Sequence, residues 1–257
     1  MKKSRHEDYQ NFKDQKYQRN NNINLDQIRF EWVKKILGKK YIIKTLTDIG
    51  SNLGYICVKF NETFNTKCIG YEYERPTFLK ANKIKKNLKN IKYVNKGLNI
   101  KNLNNIGDAD LMVNLNVLHH AGHMYDKKII SSNKEWKNYA IKYLKILSKK
   151  SKYLFFQTGN VNYNKNYFKN SETFEILPYI LKNSGWKIIK IGSIKFLKKN
   201  IYYKTYKNNQ IKKIPNIICK RDKKTKKVLY FINKKLIFKY ESGFLQRPLF
   251  LCKSKNI

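Results

Sequence analysis

The sequence predicts an α/β fold, a largely parallel sheet with helices packed on its faces. Three observations lead there. Short β-prone runs alternate with segments of helical apolar period from Ile42 to Ile194, the pattern of parallel strands joined through helices. A chain of 257 residues and 30.8 kDa is long enough for one such domain with a substantial core. A composition of 41% hydrophobic and 14% aromatic residues is that of a folded chain, not a disordered one.

The first two dozen residues are polar, and Arg19-Asn20-Asn21-Asn22 reads as a flexible lead-in. Asp26 is expected to cap a short helix in which Ile28, Trp32, Val33, Ile36 and Leu37 recur at helical spacing, with Gly38 as its stop. A first strand over Ile42 to Asp48 runs into Gly50-Ser51-Asn52-Leu53-Gly54, and Tyr55 to Phe64 follows as a helix. The second strand covers Lys67 to Tyr73. Pro76 then suits the first turn of a helix carrying Leu79, Ala81, Ile84 and Leu88. Ile91 to Asn95 and Leu111 to Val117 are the third and fourth strands. Ser132 and Glu135 have capping-box spacing, opening a helix with Trp136, Tyr139, Ala140, Tyr143, Leu144 and Leu147 inward. A fifth strand spans Tyr153 to Gln157. A helix around Leu177 to Lys182, with Pro178 in its first turn, stops at Gly185 before a sixth strand over Trp186 to Ile194. Residues 195 to 245 break the alternation: Tyr202, Tyr203 and Tyr206 form a β-prone patch, and Val228 to Tyr240 suits a hairpin around Asn233-Lys234. Arg247 to Lys253 is a last apolar strand. The chain therefore divides into a polar segment and helix (1–38), an α/β core (39–194), and a β-rich cover with a closing strand of the same domain (195–257).

Lys and Arg number 56 against 17 Asp and Glu, a formal charge of +39. At face value that charge suits a polyanion such as nucleic acid or an anionic membrane surface. The composition argues otherwise. Only six of the cations are Arg, beside 50 Lys, 32 Asn and 30 Ile, the residues of A/T-rich codons. Arg, the better residue for bidentate contacts to phosphate and guanine, is scarce. Lys-rich runs such as Lys220 to Lys227 read as solvated turns, with phosphate contact as the sharper alternative. Met1 to Phe12 has no apolar signal-peptide core, and no apolar stretch approaches the ~20 residues that span a bilayer. Cys57, Cys68, Cys219 and Cys252 are scattered, without a CxxC pair or a disulfide framework. A cytoplasmic protein is expected.

The strongest chemical signal is Asp48-Ile49-Gly50-Ser51-Asn52-Leu53-Gly54-Tyr55 between a predicted strand and a predicted helix. Glycines there permit positive φ and close approach of a ligand to the backbone, while the helix start offers N–H groups to an anion. The spacing is GxxxG, not the GxGxxG of dinucleotide sites, which argues against a nicotinamide-dependent oxidoreductase. Glu72 follows Gly50 by 22 residues at the end of the next strand, where an acid can accept both hydroxyls of a ribose. A tight turn plus a solvated acid is the plain alternative.

This constellation resembles the class I S-adenosylmethionine-dependent methyltransferases. Asp48-x-Gly50-x-Asn52-x-Gly54 is similar to their first motif, with Asn replacing the middle glycine. Cys68-Ile69-Gly70-Tyr71-Glu72 resembles the second-strand motif whose acid holds the cofactor ribose. Asp110-Leu111-Met112-Val113-Asn114-Leu115-Asn116-Val117-Leu118-His119-His120 resembles the fourth-strand motif, Leu181-Lys182-Asn183-Ser184-Gly185-Trp186 the approach to the sixth strand, and Arg247-Pro248-Leu249-Phe250-Leu251-Cys252-Lys253 the closing antiparallel strand. The match runs in order over roughly Ile42 to Ile194 plus the last ten residues. It implies a Rossmann-like three-layer sandwich, its sheet seven-stranded and mostly parallel with an antiparallel last strand. It also implies S-adenosyl-L-methionine as cofactor, held by Asp48, Gly50, Ser51, Asn52, Gly54, Tyr55, Glu72, Tyr73, Leu98, Asn99, Asn114 and Asn116. One position departs: the acid that often follows the third strand to meet adenine is absent, Gly97 being followed by Leu98 and Asn99. The Asn99 carbonyl, or backbone and apolar contacts, would take its place.

A sulfonium methyl needs little activation, so the resemblance implies catalysis by alignment of the acceptor plus removal of its proton. Candidate bases are His120 and His119, with His123 nearby; a neutral imidazole suits that role, and packing against the sheet edge is the alternative for each. His119 and His123 are four apart, but no carboxylate or Cys sits at ligand spacing, so no metal is expected. Gln157, Asn160 and Tyr163, beyond the fifth strand, are candidates for the acceptor pocket, an ordinary polar loop being the alternative. Residues 195–245 would cover that pocket. The leading expectation is methyl transfer to a small molecule such as a sugar or another hydroxylated metabolite. A nucleic-acid methyltransferase using the basic surface, or a non-catalytic cofactor-binding homologue, is the alternative. Against the former, Asn114-Leu115-Asn116-Val117 lacks the Asp/Asn-Pro-Pro-aromatic signature of enzymes that modify base amines.

Overall fold

The structure, a computed structural model, describes residues 24–257 apart from 39, 86, 163–164, 198–199, 226 and 241–244. The Arg19–Asn22 lead-in and Tyr163 lie outside the described residues.

Asn24, not Asp26, caps the first helix, α1 (Leu25–Leu37), its side chain accepting from Gln27 N at 3.0 Å. Both residue types suit a cap, but Asp26 is drawn into the first turn by an ion pair to Arg29 one turn later, at 2.7 Å. Gly38 closes the helix as expected, at φ 46° with its N–H on Lys34 O. Strand β1 (Thr45–Ile49) starts three residues later than the sequence suggests. The Asp110 carboxylate takes the N–H groups of Lys44 and Thr45, which ends the ladder there, and Ile42 is left 75% exposed.

The chain continues through α2 (Tyr55–Phe64), β2 (Lys67–Glu72), α3 (Arg75–Ile84), β3 (Ile91–Asn95) and β4 (Ala109–Leu115). β4 stops two residues before the expected Val117 because Asn116 turns left-handed, at φ 60°. The Ser132 capping box opens α4 (Asn133–Ser148), and β5 (Ser151–Gln157) follows. A small ribbon of β6 (Val161–Asn162) and β7 (Lys165–Asn166) leads to α5 (Thr173–Asn183). Pro178 lies inside α5 and not in its first turn. Burial of Leu177 and partial burial of Phe174 and Ile176 holds the preceding turn helical despite the ~3 kcal/mol that an interior proline costs.

β8 (Trp186–Leu197) runs three residues past expectation, and from Ile191 onward it pairs with β9 (Asn200–Tyr206), the Tyr-rich patch. β10 (Ile218–Arg221), β11 (Val228–Ile232) and β12 (Lys235–Tyr240) form a separate antiparallel sheet. Its hairpin turns at Asn233 and Lys234, both left-handed as a two-residue turn requires (φ 49° and 63°). β13 (Leu249–Ser254) closes the chain.

The main sheet has the order β3-β2-β1-β4-β5-β13-β8-β9. β3, β2, β1, β4 and β5 are parallel, and β13 inserts antiparallel between β5 and β8. The sheet therefore has eight strands where seven were expected: β9, assigned by the sequence to a cover, is an edge strand. One core lies between the sheet and α1, α2 and the β10–β12 sheet; the other lies between the sheet and α4 and α5. Among the described residues, no helix is long and apolar enough to cross a membrane.

Candidate functional site

Chain order reverses between β1 and β4, so their carboxyl ends part and leave a crevice, the usual ligand position in open α/β sheets. Gly50 leaves β1 at φ 73°, Asn52 follows at φ 52°, and Gly54 opens α2 at φ 84°. The N–H groups of Gly50 and Ser51 both donate to Tyr71 O, at 2.9 and 3.0 Å, which ties the turn to β2. A Cβ on Gly50 would lie 2.5 Å from Val117 Cγ2, so the turn presses on the chain leaving β4. At Gly54 a Cβ would run into the hydroxyl of Tyr93, which itself donates to Gly54 O at 3.2 Å. Neither glycine has room for a side chain.

Glu72 ends β2 with its carboxylate spread across this turn. Oε2 accepts from Asn52 N and Oε1 from Glu74 N, both at 2.9 Å. Two backbone donors fix the group in place at the end of β2. Asp48 is 3% exposed beneath the turn. Burial, then the charges of Asp26 and Glu72, push its carboxyl up to about 8. Ser51 and Tyr55 are buried in the same turn, whereas Tyr73 is exposed.

Along the crevice runs a polar belt that sequence reading did not assemble. On α1, Arg29 Nη1 donates to Asp26 Oδ1 at 2.7 Å, and both side chains are buried. Arg29 Nε and Nη2 are also buried and, among the described residues, meet no acceptor at full hydrogen-bonding geometry, although the Tyr203 hydroxyl lies beside the guanidinium. Gln157 Nε2 reaches that hydroxyl at 3.2 Å and Arg247 O at 2.9 Å. Gln157 Oε1 accepts from Asn116 Nδ2 at 3.0 Å, and Asn116 Oδ1 accepts from Arg247 Nη1 at 2.7 Å. The Arg247 guanidinium lies against Gly159, where a Cβ would come within 2.6 Å of Nη2. One signal for this belt was available. In a chain that uses Lys almost everywhere, two of its four described arginines, Arg29 and Arg247, meet here.

Of the candidate acceptor residues, Gln157 is fully buried in the belt, and Asn160 braces its own loop through Phe168 O at 3.0 Å. Asn114 turns away from the crevice: it is fully buried toward α4, with the Tyr143 hydroxyl as its neighbour. The Asn99 carbonyl is taken by Lys101 N at 3.0 Å and Asn102 N at 3.3 Å, leaving Leu98 as the apolar wall at the end of β3. Asp126, which sequence reading passed over, pins this loop by accepting from Ile100 N at 3.2 Å and Tyr139 OH at 2.6 Å.

Past β4, His119 and His120 sit on one turn of 3-10 helix with ring centroids 4.1 Å apart. His119 is buried and His120 half-buried, so His120 is the one more open to a ligand, while His123 is exposed. Among the described residues, no group of three His, Cys, Asp or Glu is placed to hold a metal ion.

The sequence matches no protein-family model and no curated protein. Among solved structures it is similar to an inferred RNA methyltransferase from Pyrococcus horikoshii, at 10% identity over 90% of this chain and 83% of that one, with a TM-score of 0.49. It is also similar to magnesium protoporphyrin IX methyltransferase from Synechocystis, solved with S-adenosylmethionine bound, at 13% identity over 69% of this chain and 76% of that one (TM-score 0.46). A third is an O-methyltransferase family protein from Burkholderia thailandensis, at 14% identity over 69% and 55% of the two chains (TM-score 0.44). The chain has a Rossmann-like α/β fold, on the strength of its own strand order, mostly parallel sheet and antiparallel closing strand.

Proposed function

We propose that the protein is an S-adenosylmethionine-dependent methyltransferase acting on a hydroxyl of a small molecule, a sugar or a similar metabolite. The observation that carries the reading is Glu72, held by Asn52 N and Glu74 N across the left-handed turn at the β1/β4 crevice. The residues present fit the cofactor. Glu72 would take the ribose hydroxyls, Gly50 and Gly54 leave no side chain over the turn, and Leu98 would meet the adenine. The amino-acid end carries an ammonium and a carboxylate. Asp26 and Asp48 suit the first, and the buried guanidinium of Arg29 suits the second.

The cofactor, when bound, supplies an electrophilic methyl whose leaving group is neutral. The chain's own work is then to orient the acceptor and remove its proton. His120, half-buried at the exit of β4, would accept that proton, and the His119 ring tilted against it limits its rotation. Arg247, Asn116 and Gln157 hold the ends of β4, β5 and β13 in one frame, giving the acceptor a fixed wall.

Calorimetry with S-adenosylmethionine, S-adenosylhomocysteine and NAD tests this. Micromolar binding of the first two and none of NAD is expected, with Glu72→Ala weakening affinity at least about tenfold through loss of a charge-assisted hydrogen-bond acceptor. A folded sample that binds neither sulfur compound would overturn the reading.

A further inference from the structure

The β10–β12 sheet has one face in the core and one in solvent, and the solvent face has a composition of its own. Inward, Tyr230 and Val228 are buried, and Phe196 of β8 meets Tyr230 and Phe238 at ring-centroid distances of 5.9 and 5.0 Å. Outward, strand register sets Ile218 opposite Phe231 and Phe231 opposite Leu236, a row of three apolar side chains across all three strands. Paired residues of antiparallel strands share a face, and the bulge between Tyr230 and Phe231 keeps the next row aligned. That next row is Lys220, Leu229 and Lys239. Ile218 and Leu236 are each 42% exposed, and Lys220, Lys234, Lys235 and Lys239 are exposed beside them.

The sheet carries a strong excess of positive charge. Between Ile218 and Tyr240, its whole span, the sequence holds nine Lys and Arg and a single acid, Asp222, a steeper excess than the 56 to 17 of the whole chain. An apolar strip rimmed by lysines, whose aliphatic stems lie along apolar surface while their ammonium groups reach outward, is complementary to the headgroup boundary of an anionic bilayer. Nucleic acid fits the strip less well. A single-stranded platform presents aromatic rings for stacking, and here the exposed positions are aliphatic, the one ring, Phe231, is half-buried, and only Arg221 of the sheet is an arginine.

We infer that the outer face of the β10–β12 sheet, with Ile218, Phe231 and Leu236 as its apolar strip, docks the protein on an anionic lipid surface. The inference does not depend on the cofactor proposed for the β1/β4 crevice.

The test is co-sedimentation of the full chain with phosphatidylcholine vesicles, with and without about 30% phosphatidylglycerol, near 0.1 M salt where the Debye length is ~10 Å. Binding only to the anionic vesicles is expected, reduced at least about tenfold by I218S/L236S and by K220E/K239E. K89E/K92E, which makes the same charge change near the opposite sheet edge, should bind like wild type. Cooperative urea unfolding of each variant establishes that it is folded. Equal loss in K89E/K92E would reduce the effect to overall charge and overturn the inference, as would wild-type binding unchanged in I218S/L236S. Retained vesicle binding by both patch variants, together with their loss of binding to single-stranded oligouridylate, would assign the face to nucleic acid instead.

Discussion

Removing Arg29 separates its structural role from its proposed ligand role. The Arg29–Asp26 pair is 2.7 Å long with side chains 7% and 6% exposed, so Arg29→Met strands a carboxylate that burial already holds above the ordinary range. Breaking such a pair costs about 3–5 kcal/mol, a large part of a typical folding stability of roughly 5–15 kcal/mol. Replacing both members, as Asp26→Leu with Arg29→Met, removes the stranded charge and should return stability to within about 1–2 kcal/mol of wild type. Urea denaturation reads these differences directly. The ligand role is read by comparing S-adenosylhomocysteine with 5′-methylthioadenosine, which lacks the amino-acid end. Loss of the Arg29–carboxylate contact, worth about 1.5–3 kcal/mol, together with the Asp26 contact to the ammonium predicts a loss of at least about tenfold for the first compound and none for the second in the doubly substituted, stable protein. Equal losses for both compounds, or none for either, would refute the assignment of the Asp26–Arg29 pair to the amino-acid end. A single Arg29→Met variant as stable as wild type would refute the pairing argument.

Gly54→Ala combines a left-handed backbone with displacement of the buried Tyr93 ring and should cost about 2–5 kcal/mol in urea denaturation. Gly107→Ala, where nothing lies within 4 Å of the new Cβ, should stay within about 0.5 kcal/mol, and similar costs for the two would contradict the packing described at Gly54. Asp48, raised to about 8, takes up a proton on folding wherever the unfolded chain is ionised. Its contribution is therefore full at acid pH, falls as pH rises from ~4, and is gone above 8. Wild type should lose stability between pH 6 and 9 more steeply than Asp48→Asn, and parallel profiles would count against that shift. Gln157→Leu leaves Asn116 Nδ2 and the Tyr203 hydroxyl short of a buried partner, an expected loss of about 2–4 kcal/mol in thermal or urea unfolding.

What the sequence made legible was local. The Ser132 capping box, the Gly38 stop, the Asn233-Lys234 turn and the Gly50–Gly54 turn are each decided within a few residues, and each stands where expected. The ends of strands were less legible because distant groups bear on them: Asp110 sets the start of β1, and the left-handed Asn116 that ends β4 is tied to Gln157 and Arg247. β9 was read as cover because its tyrosines alternate like any half-buried strand, and only the extended β8 beside it decides which sheet it joins. At the site, the turn and Glu72 were legible because chain neighbours build them. The belt was not, since its members come from α1, β4, β5, β9 and the approach to β13, with Arg29 and Gln157 far apart in sequence.

The same long-range assembly accounts for the charge arrangement of the crevice. The chain is strongly basic, yet three buried acids gather at the Gly50–Gly54 turn, Asp26 of α1, Asp48 and Glu72, and Arg29 is paired to one of them. Burying acids this close costs stability, as the raised Asp48 carboxyl records, and without a ligand part of that cost is met by protonation. A ligand bearing fixed positive charge changes the balance. It favours the ionised form of Asp48, so its binding should release a proton near neutral pH, visible in calorimetry as an enthalpy that varies with the ionisation enthalpy of the buffer. S-Adenosylmethionine carries a sulfonium that S-adenosylhomocysteine lacks, so the release should be larger for the first. That difference should vanish in Asp48→Asn. Equal proton release for the two compounds would mean that the acids sense the ammonium alone, and that the sulfonium lies beyond their reach.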